Sequence, residues 1–177
     1  NNLGPGLGDV GAETPAIVDG GTFYSLAGLT PDLDADFWSS GGPARAAAAL
    51  VAGELPEMDA AGLRIGAPIT RPSSVFGIGL NYAAHAAESG SEPPSAPILF
   101  QKAPNTVVGP NDTVAIPRGS TKTDWEVELG VVIGTRASYL ESPSDALSHI
   151  AGFVTVIDLS GRTLQLEGSG GQWSKGK

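Results

Sequence analysis

Two stretches carry acidic side chains at spacings that chemistry can use. In Asp124-Trp-Glu-Val-Glu-Leu-Gly-Val-Val-Ile-Gly134, strand alternation sends Trp125, Val127, Leu129, Val131 and Ile133 to one face, which predicts a core face. Glu126 and Glu128 go side by side to the other. Neighbouring carboxylates on one face repel each other unless a cation or solvent lies between them. Gly130 and Gly134 continue that face without side chains and so leave room for a ligand; an ordinary solvated strand face has the same spacing. Asp158 closes the apolar run Phe153–Ile157 ahead of Ser160-Gly161. It is either a cap for the following turn or a third carboxylate for the pair. Oxygen donors of this kind suit Mg²⁺, Mn²⁺ or Ca²⁺.

His85 and Glu88 stand at i and i+3 in a short segment, Asn81–Glu88, that reads as a helix capped by Asn81 and stopped by Ser89-Gly90. The two can touch there. A carboxylate beside an imidazole raises its basicity and fixes its tautomer, as a base that activates water requires; a surface ion pair has the same spacing. Lys102, Lys175 and Lys177 are cations able to stabilise an enolate or a carboxylate, and nothing in the spacing chooses among them. His149, after Asp145-Ala-Leu-Ser148, fits the last turn of a short helix. Gly77-Ile-Gly-Leu-Asn-Tyr82 begins like a dinucleotide fingerprint, but Tyr82 stands at the third glycine position and no βαβ unit follows, so NAD binding is rejected.

The elements that must position these residues follow from turn chemistry and composition. With 25 Gly and 14 Pro in 177 residues, short strands joined by turns are expected rather than a helical bundle. Pro15–Asp19 and Thr22–Leu26 around Gly20-Gly21 read as a hairpin. Asp32–Trp38, with Thr30 as cap, and Pro43–Ala52 read as helices. Strands are expected at Val75–Ile78, Ile98–Gln101, Thr113–Ile116, Trp125–Ile133 and Ile150–Ile157. The Pro/Gly-spaced stretch Gly62–Pro72 reads as a link, dividing a small N-terminal unit, residues 1–66, from a main domain, 67–177.

Ten Lys and Arg against 19 Asp and Glu give a net charge of −9, which speaks against a nucleic-acid or anionic-membrane partner. No Cys is present, so disulfides, thiol nucleophiles and thiolate metal sites are excluded, and two histidines cannot make a three-His zinc site. No signal peptide and no apolar run near 18 residues is visible, so a cytoplasmic protein is expected.

Taken in order, Ile78-Gly-Leu-Asn-Tyr-Ala-Ala-His-Ala-Ala-Glu88, Pro97-Ile-Leu-Phe-Gln-Lys102, Gly109-Pro110, Asp124-Trp-Glu-Val-Glu-Leu129 with Val132-Ile-Gly134, Ile150-Ala-Gly-Phe153, Asp158-Leu-Ser-Gly-Arg162 and Gln172-Trp-Ser-Lys-Gly-Lys177 resemble the fumarylacetoacetate hydrolase family. The resemblance implies a mixed, mainly β fold: a β-roll catalytic domain behind a small N-terminal α+β unit, in a homodimer. It also implies Mg²⁺ or Mn²⁺ on Glu126, Glu128 and Asp158, a His85–Glu88 catalytic dyad, and Lys177 near the substrate. The substrate class it implies is a small 2,4-diketo or 2-oxo acid, cleaved at a C–C bond through a stabilised enolate, with the sugar-acid branch the nearest in motif. Isomerisation, decarboxylation or a lyase reaction shares that enolate. A non-catalytic, acidic β-rich binding module is the alternative of another kind. The resemblance further implies a C-terminal portion beyond Lys177 that closes the roll, without which strand edges stay unpaired. Residues 83–96 are expected to act as a lid.

Overall fold

The computed structural model describes residues 2–3, 6–88, 90, 92 and 94–177; the side chains of Asn2, Leu3 and His85 lie outside what it describes. The chain divides into two compact units, each built from three pieces.

The first unit comprises 1–72, 107–114 and 129–155. Its sheet runs β1 (Asn2–Leu3), β2 (Ala16–Asp19), β3 (Thr22–Ser25) and β4 (Glu57–Met58), every neighbour antiparallel. Gly20 and Gly21 both take positive φ, 57° and 87°, in the two-residue loop between the paired Asp19 and Thr22. That is the turn whose twist matches its strands, and only residues tolerant of positive φ form it cheaply. Helix α1 is Ala35–Ser39 and α2 is Gly42–Val51. Asp34, not Thr30, caps α1: its carboxylate accepts from the Asp36 and Phe37 N–H groups at 3.1 Å. Thr30 instead donates to the Asp32 carbonyl at 2.7 Å, and the Asp32 carboxylate is engaged by Leu33, Thr70 and Arg71, so the helix starts later than expected. The core is Ile17, Leu26, Leu33, Phe37, Trp38 and Ala46. Its one indole N–H is satisfied by the Leu33 carbonyl at 2.9 Å, as a buried polar group requires.

The second unit comprises 73–106, 115–128 and 156–177. Strands β5 (Val75–Gly79) and β6 (Ile98–Lys102) pair antiparallel, with Gly77 opposite Phe100. Helix α3 spans Ala83–Glu88. Strands β7 (Thr123–Ile133) and β8 (Ile150–Gly161) form a two-stranded ribbon whose residues are shared between the units. At one end the Arg162 N–H donates to the Lys122 carbonyl; at the other, the Gly134 and Thr135 N–H groups both donate to the His149 carbonyl. The strands therefore run antiparallel.

Three expectations for the ribbon and one beside it are corrected. Its alternation is as expected, but the apolar face is not a core: Trp125 is 64% and Val127 60% exposed, while Glu126 and Glu128 are half-buried. Gly134 leaves no room for a ligand, because a Cβ there would stand 2.7 Å from the Ala151 Cβ; it is a close-packing position. Ser160-Gly161 is strand rather than turn, since β8 runs through Gly161. Among the described residues Thr113–Ile116 forms no strand. His149 does end a 3₁₀ segment, Pro143–His149, where its Nδ1 lies 3.1 Å from the Thr135 Oγ1. Among the described residues no helix is long and apolar enough to cross a membrane.

Candidate metal and substrate site

The site is built within the second unit from the face of β7 and β8 opposite Trp125. Four residues inward from the Arg162–Lys122 bond lie Asp158 on one strand and Glu126 on the other, so the antiparallel register places them together. Glu128 is the next same-face position along β7. Carboxylate oxygens of Glu126, Glu128 and Asp158 all lie within 4.8 Å of one another.

Three cations hold this group in place. Lys102, at the end of β6, donates from Nζ to Asp158 Oδ1 at 2.7 Å and to the Leu159 carbonyl at 2.8 Å. Lys177 donates to Asp158 Oδ2 at 2.5 Å, and its Nζ lies 3.8 Å from Glu126 Oε1. Each Asp158 oxygen thus has its own ammonium group, and both partners of the Lys177 pair are buried. Arg162 donates to Glu126 Oε1, to Asp124 Oδ2 at 2.8 and 3.0 Å, and to Gln165 Oε1 at 2.9 Å. Its fork closes on Asp124, and a single N–H from the same group fixes one oxygen of Glu126. Gln165 belongs to a π-helical turn, Thr163–Glu167, a conformation found mostly at functional positions.

Burial pushes the Glu128 carboxyl above the usual carboxylate range, and the charges of Glu126 and Asp158 add to the rise against the opposing pull of Lys177. A carboxylate in that position gains from a cation. All donors are hard oxygens, so the residues fit Mg²⁺, Mn²⁺ or Ca²⁺ and not a soft ion. Beside Asp158, the Ser160 Oγ is buried with no hydrogen-bond partner, and such a group is costly unless something unseen satisfies it.

Of the residues expected from sequence, Glu126, Glu128, Asp158 and Lys177 come together. Glu88 is exposed on α3. The His85 side chain lies outside the described residues, and so do Ser89, Ser91 and Pro93 of the expected lid. Sequence reasoning passed over Arg162, although it stands just past β8, two same-face positions on from Asp158, which was signal enough to find it. It could not choose Lys102, whose approach to Asp158 depends on a separate strand pair.

A mainly β unit thus brings three carboxylates together, two of them engaged by Lys102, Lys177 and Arg162. The family profile described as "Fumarylacetoacetate (FAA) hydrolase C-terminal" matches residues 74–177. The chain belongs to the fumarylacetoacetate hydrolase family. A relative from Burkholderia ambifaria named "Putative hydrolase" is 45% identical over 177 residues, covering 96% of this chain and 59% of its own. The chain thus spans about three-fifths of the length of the curated relatives it matches. The solved structure of a fumarylacetoacetate hydrolase from Exiguobacterium antarcticum superposes with a TM-score of 0.75 at 27% identity, over 98% of this chain and 61% of that one. A 5-carboxymethyl-2-hydroxymuconate delta-isomerase from Mycobacterium smegmatis gives 0.67 at 26%, over 100% and 61%.

Proposed function

We propose that the protein is a divalent-metal-dependent hydrolase that cleaves a C–C bond in a small 2,4-diketo acid. The observation that carries this reading is the clustering of Glu126, Glu128 and Asp158 with their oxygens inside 4.8 Å, with Glu126 and Asp158 held by Lys102, Lys177 and Arg162. These three residues would hold Mg²⁺ or Mn²⁺. Such an ion, when bound, supplies Lewis-acid stabilisation of the charge that develops on an enolate.

The chain's own residues do the rest. Lys102 and Lys177 fix both oxygens of Asp158, and Arg162 fixes one oxygen of Glu126, so the donor set is held before substrate arrives. Lys177 also brings a buried ammonium group to the place where carboxylate or enolate charge is to be stabilised. The His85–Glu88 pair takes a proton from water. The hydroxyl attacks the distal carbonyl, the C–C bond breaks, its electron pair leaves as the enolate of the fragment that retains the 2-oxo acid, and the proton held by the pair returns to that carbon. A homodimer acting in the cytoplasm is part of this reading.

The experiment is turnover of acetylpyruvate with and without Mg²⁺. Pyruvate and acetate should be released only with the ion, and Glu126→Ala should lose both turnover and ion affinity. Full activity and affinity in that variant would defeat the reading. A second reading, isomerisation, is favoured by the resemblance to the delta-isomerase. It needs no water to be activated, and the absence of acid products from a converted substrate would select it.

A further inference from the structure

The glycines that imitate a dinucleotide fingerprint have a different use. Gly77 lies directly opposite Phe100 in the β5–β6 register. A Cβ at Gly77 would overlap the end of the Phe100 ring, and one at Gly79 would overlap the six-membered ring of Trp173. The two aromatic rings therefore lie in the space that two absent side chains leave on β5. Their centroids are 6.2 Å apart, tilted at 41°. The segment carrying Trp173 is tied down a second time, because the Gln101 N–H donates to the Ser174 Oγ at 3.0 Å. At its end the Lys177 Nζ stands 4.3 Å from the Phe100 ring centroid, over the face of the ring.

We propose that Gly77, Gly79, Phe100 and Trp173 form an aromatic shelf that sets the position of the Lys177 ammonium group against Asp158. Phe100 is a positioning residue: its negative ring face attracts the ammonium group, while Asp158 Oδ2 holds it from another direction. An ammonium group with 2% of its side chain exposed has little water to replace either partner. This rests on the reading that Lys177 serves the site, and its test is kept separate from that reading.

The test measures the acetylation rate of Lys177 in the intact protein by mass spectrometry, with exposed Lys122 as internal reference. Replacing Phe100 with 3,4,5-trifluorophenylalanine keeps the ring's shape and removes most of its attraction for a cation. The Lys177 rate should rise about five- to tenfold relative to Lys122, with the monofluoro analogue between. Gly79→Ala, which displaces Trp173, should raise it as well. A merely structural role would leave the fluorinated series unchanged or raise Lys122 in step, and either result overturns the proposal. Turnover of acetylpyruvate by Lys177→Met separates the two claims. If that variant keeps full turnover while the fluorinated series responds, the shelf stands and the assigned role of Lys177 falls. If the variant loses turnover and the series is flat, the shelf falls alone.

Discussion

Replacing Lys177 with Met tests the electrostatics of the site without touching a carboxylate. Lys177 and Asp158 are 2% and 6% exposed at their side chains, and removing one member of a buried ion pair costs about 3–5 kcal/mol because the other charge stays buried. Asp158 keeps Lys102 on its second oxygen, so the lower end applies, about 3 kcal/mol. For a chain of this size that is a fall in Tm of about 6–12 °C. Lys122→Met is the matched control. Its pair with Glu167 has both side chains more than half exposed, and such a pair contributes about 0–1 kcal/mol. The assay is thermal unfolding in EDTA followed by circular dichroism, repeated with excess Mn²⁺. The ion should restore part of the Lys177→Met loss, because it replaces the missing positive charge, and none of the Lys122→Met change. A Lys177→Met shift no larger than that of the control, or a loss that Mn²⁺ leaves untouched, would refute the reasoning.

Two further outcomes follow. Glu128 has a raised pKa, so its protonated form is favoured by folding; this contribution is full below the ordinary carboxylate range and is lost as pH rises through the raised value. Stability in EDTA should therefore fall over that window while Mn²⁺ affinity rises, with proton release visible by calorimetry in two buffers and absent in Glu128→Gln. In the first unit, Asp34→Ala removes the α1 cap and should cost about 1 kcal/mol, read as a lower urea midpoint with an unchanged slope.

Local chemistry made much of this architecture legible. Gly20-Gly21 announced its turn, and the 2-residue period of Trp125–Ile133 announced a strand with an acidic face. Periodicity sorts residues into two faces but does not say which face is covered, so the same pattern predicted a core where Trp125 and Val127 are exposed. Thr113–Ile116 has the composition of a strand, yet a strand exists only where a partner offers its hydrogen bonds. The carboxylate trio was readable because alternation governs each of its strands. The choice of Lys102 was not, since 56 residues separate it from Asp158. The meaning of Gly77 and Gly79 was hidden for the same reason: the rings that fill their space come from another strand and from the distant segment that carries Trp173.

The β7–β8 ribbon behaves as though it had a reading frame. Its carboxylates share a face only while the count of residues inward from the Arg162–Lys122 bond is kept, for a slip of one residue carries every side chain to the opposite side. Substitutions along the ribbon alter single contacts, whereas a single-residue deletion within 123–125 would move Glu126 and Glu128 out of register with Asp158. A deletion in 136–141, beyond the ribbon, leaves the count intact. Length variation along this part of the chain should therefore be confined to that loop.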